Sequence, residues 1–117
     1  MESALERHYG PAIGWNATED NQPRPPALRV ILHKREYLFP WSRLLFAEEA
    51  NGELLIFFAT HEILINGYGL THLLVDLAAH RVLSLYEPLR ADRFQAANEP
   101  EPKGGIHQIS VRRVEEE

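Results

Sequence analysis

The sequence predicts an α+β fold in which an antiparallel β-meander of about five strands is followed by one amphipathic α-helix. Short apolar runs separated by turn residues predict the strands, and leucines at helical spacing after a glycine-rich break predict the helix. Because parallel pairing needs long crossover connections and the turns here are short, we expect neighbouring strands to pair antiparallel. Extended N- and C-terminal tails complete the predicted fold.

The first two predicted strands flank a polar turn. Residues 28–33 show the alternation typical of a strand, and Lys34-Arg35 forms the turn after it. Residues 37–39 begin the second strand. Pro40 ends this strand or confines it to a sheet edge, because proline has no amide proton to donate to a neighbouring strand.

The third and fourth predicted strands, residues 44–49 and 53–59, are joined by Asn51-Gly52. Both residues tolerate a positive φ, which a type I′ hairpin turn requires at its two central positions. The fourth strand is apolar at every position in its centre, whereas a half-buried strand alternates. This pattern is typical of a strand that is covered on both faces.

A fifth predicted strand, residues 62–66, precedes Gly67-Tyr68-Gly69 and a helix over about residues 69–81. The glycines supply the backbone angles needed where a strand reverses into a helix. The apolar face of this helix consists of Leu70, Leu73, Leu74, Leu77 and Ala78. Residues 82–86 are extended in the same interpretation.

Composition divides the chain into three parts. Residues 1–26 are an N-terminal arm rich in Gly and Pro, residues 27–88 are a compact α+β domain, and residues 89–117 are a C-terminal extension. The extension contains a Pro- and Gly-rich linker followed by a segment with β-propensity centred on Ile109 to Val111.

Composition also limits the classes of function. The chain has 117 residues, a net charge of −5 and no cysteine. The acidic balance argues against broad nucleic-acid binding and against adhesion to anionic membranes. Thiolate metal sites and cysteine nucleophiles are excluded. The sequence shows no signal peptide and no membrane span, so we expect a cytoplasmic protein without a membrane partner.

Three potential metal ligands, His72, Asp76 and His80, fall at i, i+4 and i+8 of the predicted helix. The two outer residues of such a set are about 12 Å apart along the helix axis, so the three cannot hold one ion. We interpret them as a polar ridge beside the leucine face, and we predict neither a metal site nor a cofactor.

No set of acidic, histidine or serine side chains converges at a motif with known catalytic mechanics, and we expect no catalytic residues. The sequence therefore predicts a non-catalytic protein-interaction or self-association module. Its partner is a second copy in a homodimer, or another protein. The predicted interaction surface consists of Trp15, Leu55, Phe57, Ile109 and Val111.

The alternative function is binding of a small ligand or a phosphate group. It uses the glycine turn before the helix, Gly67 and Gly69, together with the cations Lys34 and Arg35. A ligand-binding domain has a concave pocket with convergent polar groups, whereas an interaction module has a flat apolar patch.

Overall fold

The computed structural model describes residues 11–88 and 101–114. In chain order the elements are β1 (Trp15–Ala17), β2 (Ala27–Ile31), β3 (Glu36–Pro40), a 3-10 helix (Trp41–Arg43), β4 (Leu44–Ala50), β5 (Glu53–Phe58), β6 (His61–Tyr68), α1 (Leu70–Ala78), β7 (Val82–Tyr86) and β8 (Gly105–Arg113). The fold is α+β with mostly antiparallel pairing, as predicted. The single meander of five strands was wrong, because the described residues form eight strands in two sheets.

The first sheet has the strand order β1-β7-β2-β3, and the second has the order β4-β5-β6-β8. Strands β2 and β7 pair in parallel, contrary to the expectation of antiparallel pairs only. Parallel pairing was not expected because no single loop in the sequence is long enough to carry a crossover between two parallel strands. The crossover that joins β2 to β7 instead includes β3, the entire β4–β6 hairpin series and α1, which is ample length for parallel pairing.

The chain passes from the first sheet to the second at Pro40. Strand β3 lies at a sheet edge and ends at this proline, in agreement with the sequence-based expectation. The 3-10 turn Trp41–Arg43 follows at once and redirects the chain into β4. The predicted meander is therefore divided into two sheets at this turn.

The Asn51-Gly52 hairpin is confirmed. Asn51 has φ 54° and Gly52 has φ 78°, and Ala50 pairs with Glu53 on either side of the turn. A two-residue turn of this kind sets the register of β4 against β5, and therefore decides which side chains of each strand share a face.

The inner faces of the two sheets pack against each other to form one core. Phe39 of β3 stacks on Phe58 of β5, with ring centroids 4.8 Å apart. The core residues are Trp15, Leu28, Val30, Phe39, Trp41, Leu54, Ile56, Phe58, Ile63, Ile65, Leu70, Leu73, Leu77, Val82, Leu85, Ile106 and Ile109. The first sheet, rather than the helix alone, therefore covers the second.

Helix α1 contacts β4 and β5 of one sheet and β7 of the other. It is shorter than the predicted 69–81, because His80 adopts a left-handed φ of 55°. The amide of His80 donates to the carbonyl of Leu77 at 3.0 Å, and the amide of Arg81 donates to that of Asp76 at 2.9 Å. These two bonds form a Schellman motif, which ends the helix. Within the described part of the chain, no helix has the length and apolarity to cross a membrane.

Two strands lie outside residues 27–88. Strand β1 pairs with β7, and β8 pairs with β6 along its length. An isolated parallel bridge also joins Ile13, two residues before β1, to Gly105, the first residue of β8. The described parts of the predicted arm and extension are thus integral to the sheets, while residues 1–10, 89–100 and 115–117 lie outside the described residues.

We expect Leu77→Ala to lower the free energy of unfolding by about 2–5 kcal/mol, because the change leaves a cavity in the core below α1. Val75 is the matched control, since it lies on the same helix but is 61% exposed. Val75→Ala should change stability by about 0.5 kcal/mol or less. Urea denaturation of both variants measures the difference, and equal losses would contradict the assignment of the buried helix face.

Candidate functional site

The outer face of the second sheet carries two rows of side chains that cross all four strands. The pairing register places one row at Phe46, Phe57, Glu62 and Arg112, and the next at Glu48, Leu55, Leu64 and Ser110. We refer to Phe46, Leu55, Phe57 and Leu64 as the apolar patch. This patch occupies three neighbouring strands, β4, β5 and β6.

The patch is a continuous apolar surface. The rings of Phe46 and Phe57 stack with centroids 4.4 Å apart, and Phe46 remains 53% exposed. Leu55 lies directly opposite Leu64 in the neighbouring strand. Such cross-strand pairs stabilise a sheet locally, but here they also place their apolar groups on the side of the sheet that faces away from the core.

Charges lie on both sides of the apolar patch. Glu48 extends the second row on β4. On the opposite side, Arg112 of β8 forms an ion pair with Glu62 of β6. One edge of the outer face is therefore acidic, and the other edge presents a guanidinium group.

Of the five residues predicted for an interaction surface, Leu55 and Phe57 lie on the apolar patch. Trp15 and Ile109 are instead core residues, and Val111 is partly buried against the core. The reason is that β1 and β8 are strands of the sheets rather than docking tails, so these side chains point inward. Phe46 and Leu64 of this patch were not predicted, although counting outward from the Asn51-Gly52 turn places Phe46 opposite Phe57.

The residues predicted for a phosphate site do not come together. Lys34 and Arg35 are exposed in the β2–β3 turn, and Arg35 donates to the hydroxyl of Tyr37 at 3.3 Å. Tyr37 contacts the ring of His61, the first residue of β6. Gly67 lies near the other end of that strand, about 20 Å away at the usual rise per residue.

The space beside the two glycines is occupied by backbone. A Cβ atom on Gly67 would lie 2.1 Å from the carbonyl oxygen of Gly105, and one on Gly69 would lie 2.4 Å from that of Lys103. Gly69 also has a left-handed φ of 63° at the start of α1. These glycines therefore permit the close approach of the segment before β8, and they do not form an open anion cradle.

A buried carboxylate forms the second feature of interest. The Asp76 side chain is 6% exposed, and its Oδ1 accepts a hydrogen bond from Arg81 Nη2 at 2.6 Å. Its Oδ2 accepts from Trp15 Nε1 at 3.3 Å and lies 3.7 Å from Lys103 Nζ. The predicted polar ridge with His72 and His80 was therefore wrong for Asp76, whose partners hold it in the interior.

A cavity of about 640 Å³ adjoins this carboxylate. Its polar lining includes Asn16, Thr18, Asp20, Asp76, Arg81 and Lys103. On the solvent side of Arg81, the carboxylate of Asp20 lies 2.5 Å from Nη1, and the Asp20 side chain is 88% exposed. Arg81 Nε is buried and has no hydrogen-bond acceptor among the described residues. The cavity wall thus combines two cations, Arg81 and Lys103, with the buried acid Asp76 and the two exposed acids Glu19 and Asp20.

Among the described residues, no group of three acidic or histidine side chains is arranged to hold a metal ion. Comparison of the chain with protein-family models, curated proteins and solved structures gave no match. The apolar patch and the Asp76 cavity are therefore interpreted from their geometry and chemistry.

We expect Asp76→Ala to lower the free energy of unfolding by about 3 kcal/mol. This is the low end for removing one partner of a buried ion pair, because Arg81 and Lys103 keep some contact with water. Asp20→Ala removes the exposed carboxylate from the same arginine and should cost less than about 1 kcal/mol. Thermal or urea unfolding gives both values. Equal effects would mean that Asp76 does not hold the interior together.

Proposed function

We propose that this chain is a non-catalytic self-association module that forms a twofold homodimer through the apolar patch. The observation that carries the proposal is the stacked Phe46–Phe57 pair, in which Phe46 is exposed and Phe57 half-buried, beside the half-buried Leu55–Leu64 pair on a sheet face. Exposed contiguous apolar surface of this kind is typical of interaction sites. One sheet face can pack on another, and the second copy supplies a face of identical shape.

The two rows make the patch complementary to itself. A twofold axis that runs parallel to the strands, between β5 and β6, places β5 of one copy over β6 of the other. Leu55 then faces Leu64 of the partner subunit, and the reverse contact forms by symmetry. The hydrophobic contact is therefore made twice at the centre of the interface.

Charge supports the same arrangement. This axis brings the acidic β4 edge of each copy over the β8 edge of the other. Phe46 then lies over Arg112 of the partner subunit, a geometry that favours a cation–π contact. A twofold axis that runs across the strands would instead place β4 of one copy over β4 of the other. Glu48 would then face Glu48 of the partner subunit, which is unfavourable because like charges repel.

The free edge of β8 is less suited to pairing with a second copy. The Ile109 amide donates to the carboxylate of Glu87 at 3.2 Å, so Glu87 occupies an edge donor that another strand would need. Covering an edge amide in this way discourages strand addition. Face-to-face contact is therefore the better supported mode of association.

The size of the face sets the expected affinity. Four strands at about 4.8 Å spacing and about seven residues in length give a face of roughly 400 Å² for each copy. Two such faces fall below the 1,200–2,000 Å² typical of stable complexes. We therefore expect a dimer with a dissociation constant of order micromolar, which dissociates on dilution.

Leu55→Glu tests this function, because it places two carboxylates at the centre of the proposed interface. The wild type should show concentration-dependent dimerisation by sedimentation velocity between about 1 and 200 μM, whereas Leu55→Glu should stay monomeric. The matched control is Leu38→Glu on the outer face of the first sheet, where Leu38 is 69% exposed. This control should dimerise like the wild type.

Circular dichroism should show that both variants retain the β-sheet signal of the wild type. A wild type that stays monomeric over the whole range would refute the proposal. Equal loss of dimer in both variants would refute the assignment to this face.

A further inference from the structure

We infer that the Asp76 cavity binds a small molecule bearing a carboxylate or phosphate group, with Arg81 and Lys103 as its charged contacts. The cavity lies between β1, the end of α1 and the segment before β8. It shares no residue with the apolar patch, so the inference does not depend on self-association.

The fixed charges of the inner wall favour an anion. Arg81 and Lys103 both contact the Asp76 carboxylate, which neutralises one of these two positive charges. The acids Glu19 and Asp20 also line the cavity, but both are exposed. Water screens such exposed charges strongly, whereas the partly buried cations keep a larger electrostatic effect.

Asp20 marks the position for an oxyanion. Its exposed carboxylate contacts Arg81 Nη1 at 2.5 Å, and an ion pair this exposed contributes little stability. A ligand carboxylate or phosphate can replace Asp20 there at small cost. Nη2 of Arg81 is held by Asp76 and Nε is buried, so the ligand oxyanion binds at Nη1, where a charge-assisted hydrogen bond replaces the one to Asp20.

Lys103 supplies the second contact. Its Nζ lies 3.7 Å from Asp76 Oδ2, which is beyond hydrogen-bond distance. No other acceptor in the described part of the chain bonds to this ammonium group, so its donors remain available to a ligand. Lysine is well suited to this role as a compact positive charge.

The cavity is large enough to hold a ligand bigger than an inorganic ion. About 640 Å³ lies within the range of sites that bind small organic molecules. Asn16, Thr18 and Asn21 line the remaining wall with neutral hydrogen-bonding groups. A ligand with a polar body and an anionic group is therefore the chemistry that this lining fits.

The two tryptophans provide a direct test. Trp15 lines the cavity and bonds to Asp76 through its indole N–H, whereas Trp41 does not line it. In ¹⁵N–¹H spectra of the full chain, titration with inorganic phosphate or succinate at constant ionic strength should move the Trp15 indole peak with saturation. The Trp41 peak serves as the internal control and should move much less.

Two variants sharpen the test. Lys103→Ala should abolish the saturable shift of the Trp15 peak. Asp20→Asn removes the competing carboxylate and should tighten binding about twofold to fivefold. A gain in affinity cannot result from a damaged fold. The Asp20→Asn variant therefore separates a true binding effect from the loss of binding that misfolding could cause in Lys103→Ala.

A saturable response to phosphate, to succinate or to both supports the inference, and the relative affinities indicate which anionic group the site prefers. Three results would each overturn it: no saturable shift of Trp15 with either probe, equal shifts of both indoles, or unchanged binding in Lys103→Ala.

Discussion

The contact between the inner faces of the two sheets is the interaction on which the rest of the structure depends. Burial of Leu54, Ile56 and Phe58 against the first sheet determines which side of β5 is left outside. Because side chains alternate along a strand, Leu55 and Phe57 must then face away from the core. The apolar patch is therefore a direct consequence of the same packing that stabilises the fold.

Local signals in the sequence predicted local structure well. Asn51-Gly52 predicted a hairpin and its register, and Pro40 predicted an edge strand, because each effect depends on the backbone of one or two residues. The leucines of α1 predicted the buried helix face through their helical spacing, although Ala78, predicted on the same face, is exposed. Leu55 and Phe57 were placed among the candidates because their strand had no polar position, and the structure puts both on the outer face of the second sheet.

Long-range pairing was not predictable in the same way. Strand β1 has three residues in a Gly- and Pro-rich segment, and it exists because β7 pairs with it. The burial of Asp76 depends on Trp15, which is 61 positions away in the chain. A carboxylate on a helix normally indicates a solvent-exposed face. Asp76 is buried instead because the nearby Arg81 and the distant Trp15 and Lys103 contact its two oxygens.

The split into two sheets explains both candidate sites. It leaves the second sheet with one face that nothing in the described residues covers, and this face carries the apolar patch. It also brings β1 and the segment before β8 to the end of α1, where their side chains line the Asp76 cavity, which is open to solvent. The patch involves β4–β6, whereas the cavity depends on the outer segments of the chain. Because no residue belongs to both, changes in one site can be made without removing the other.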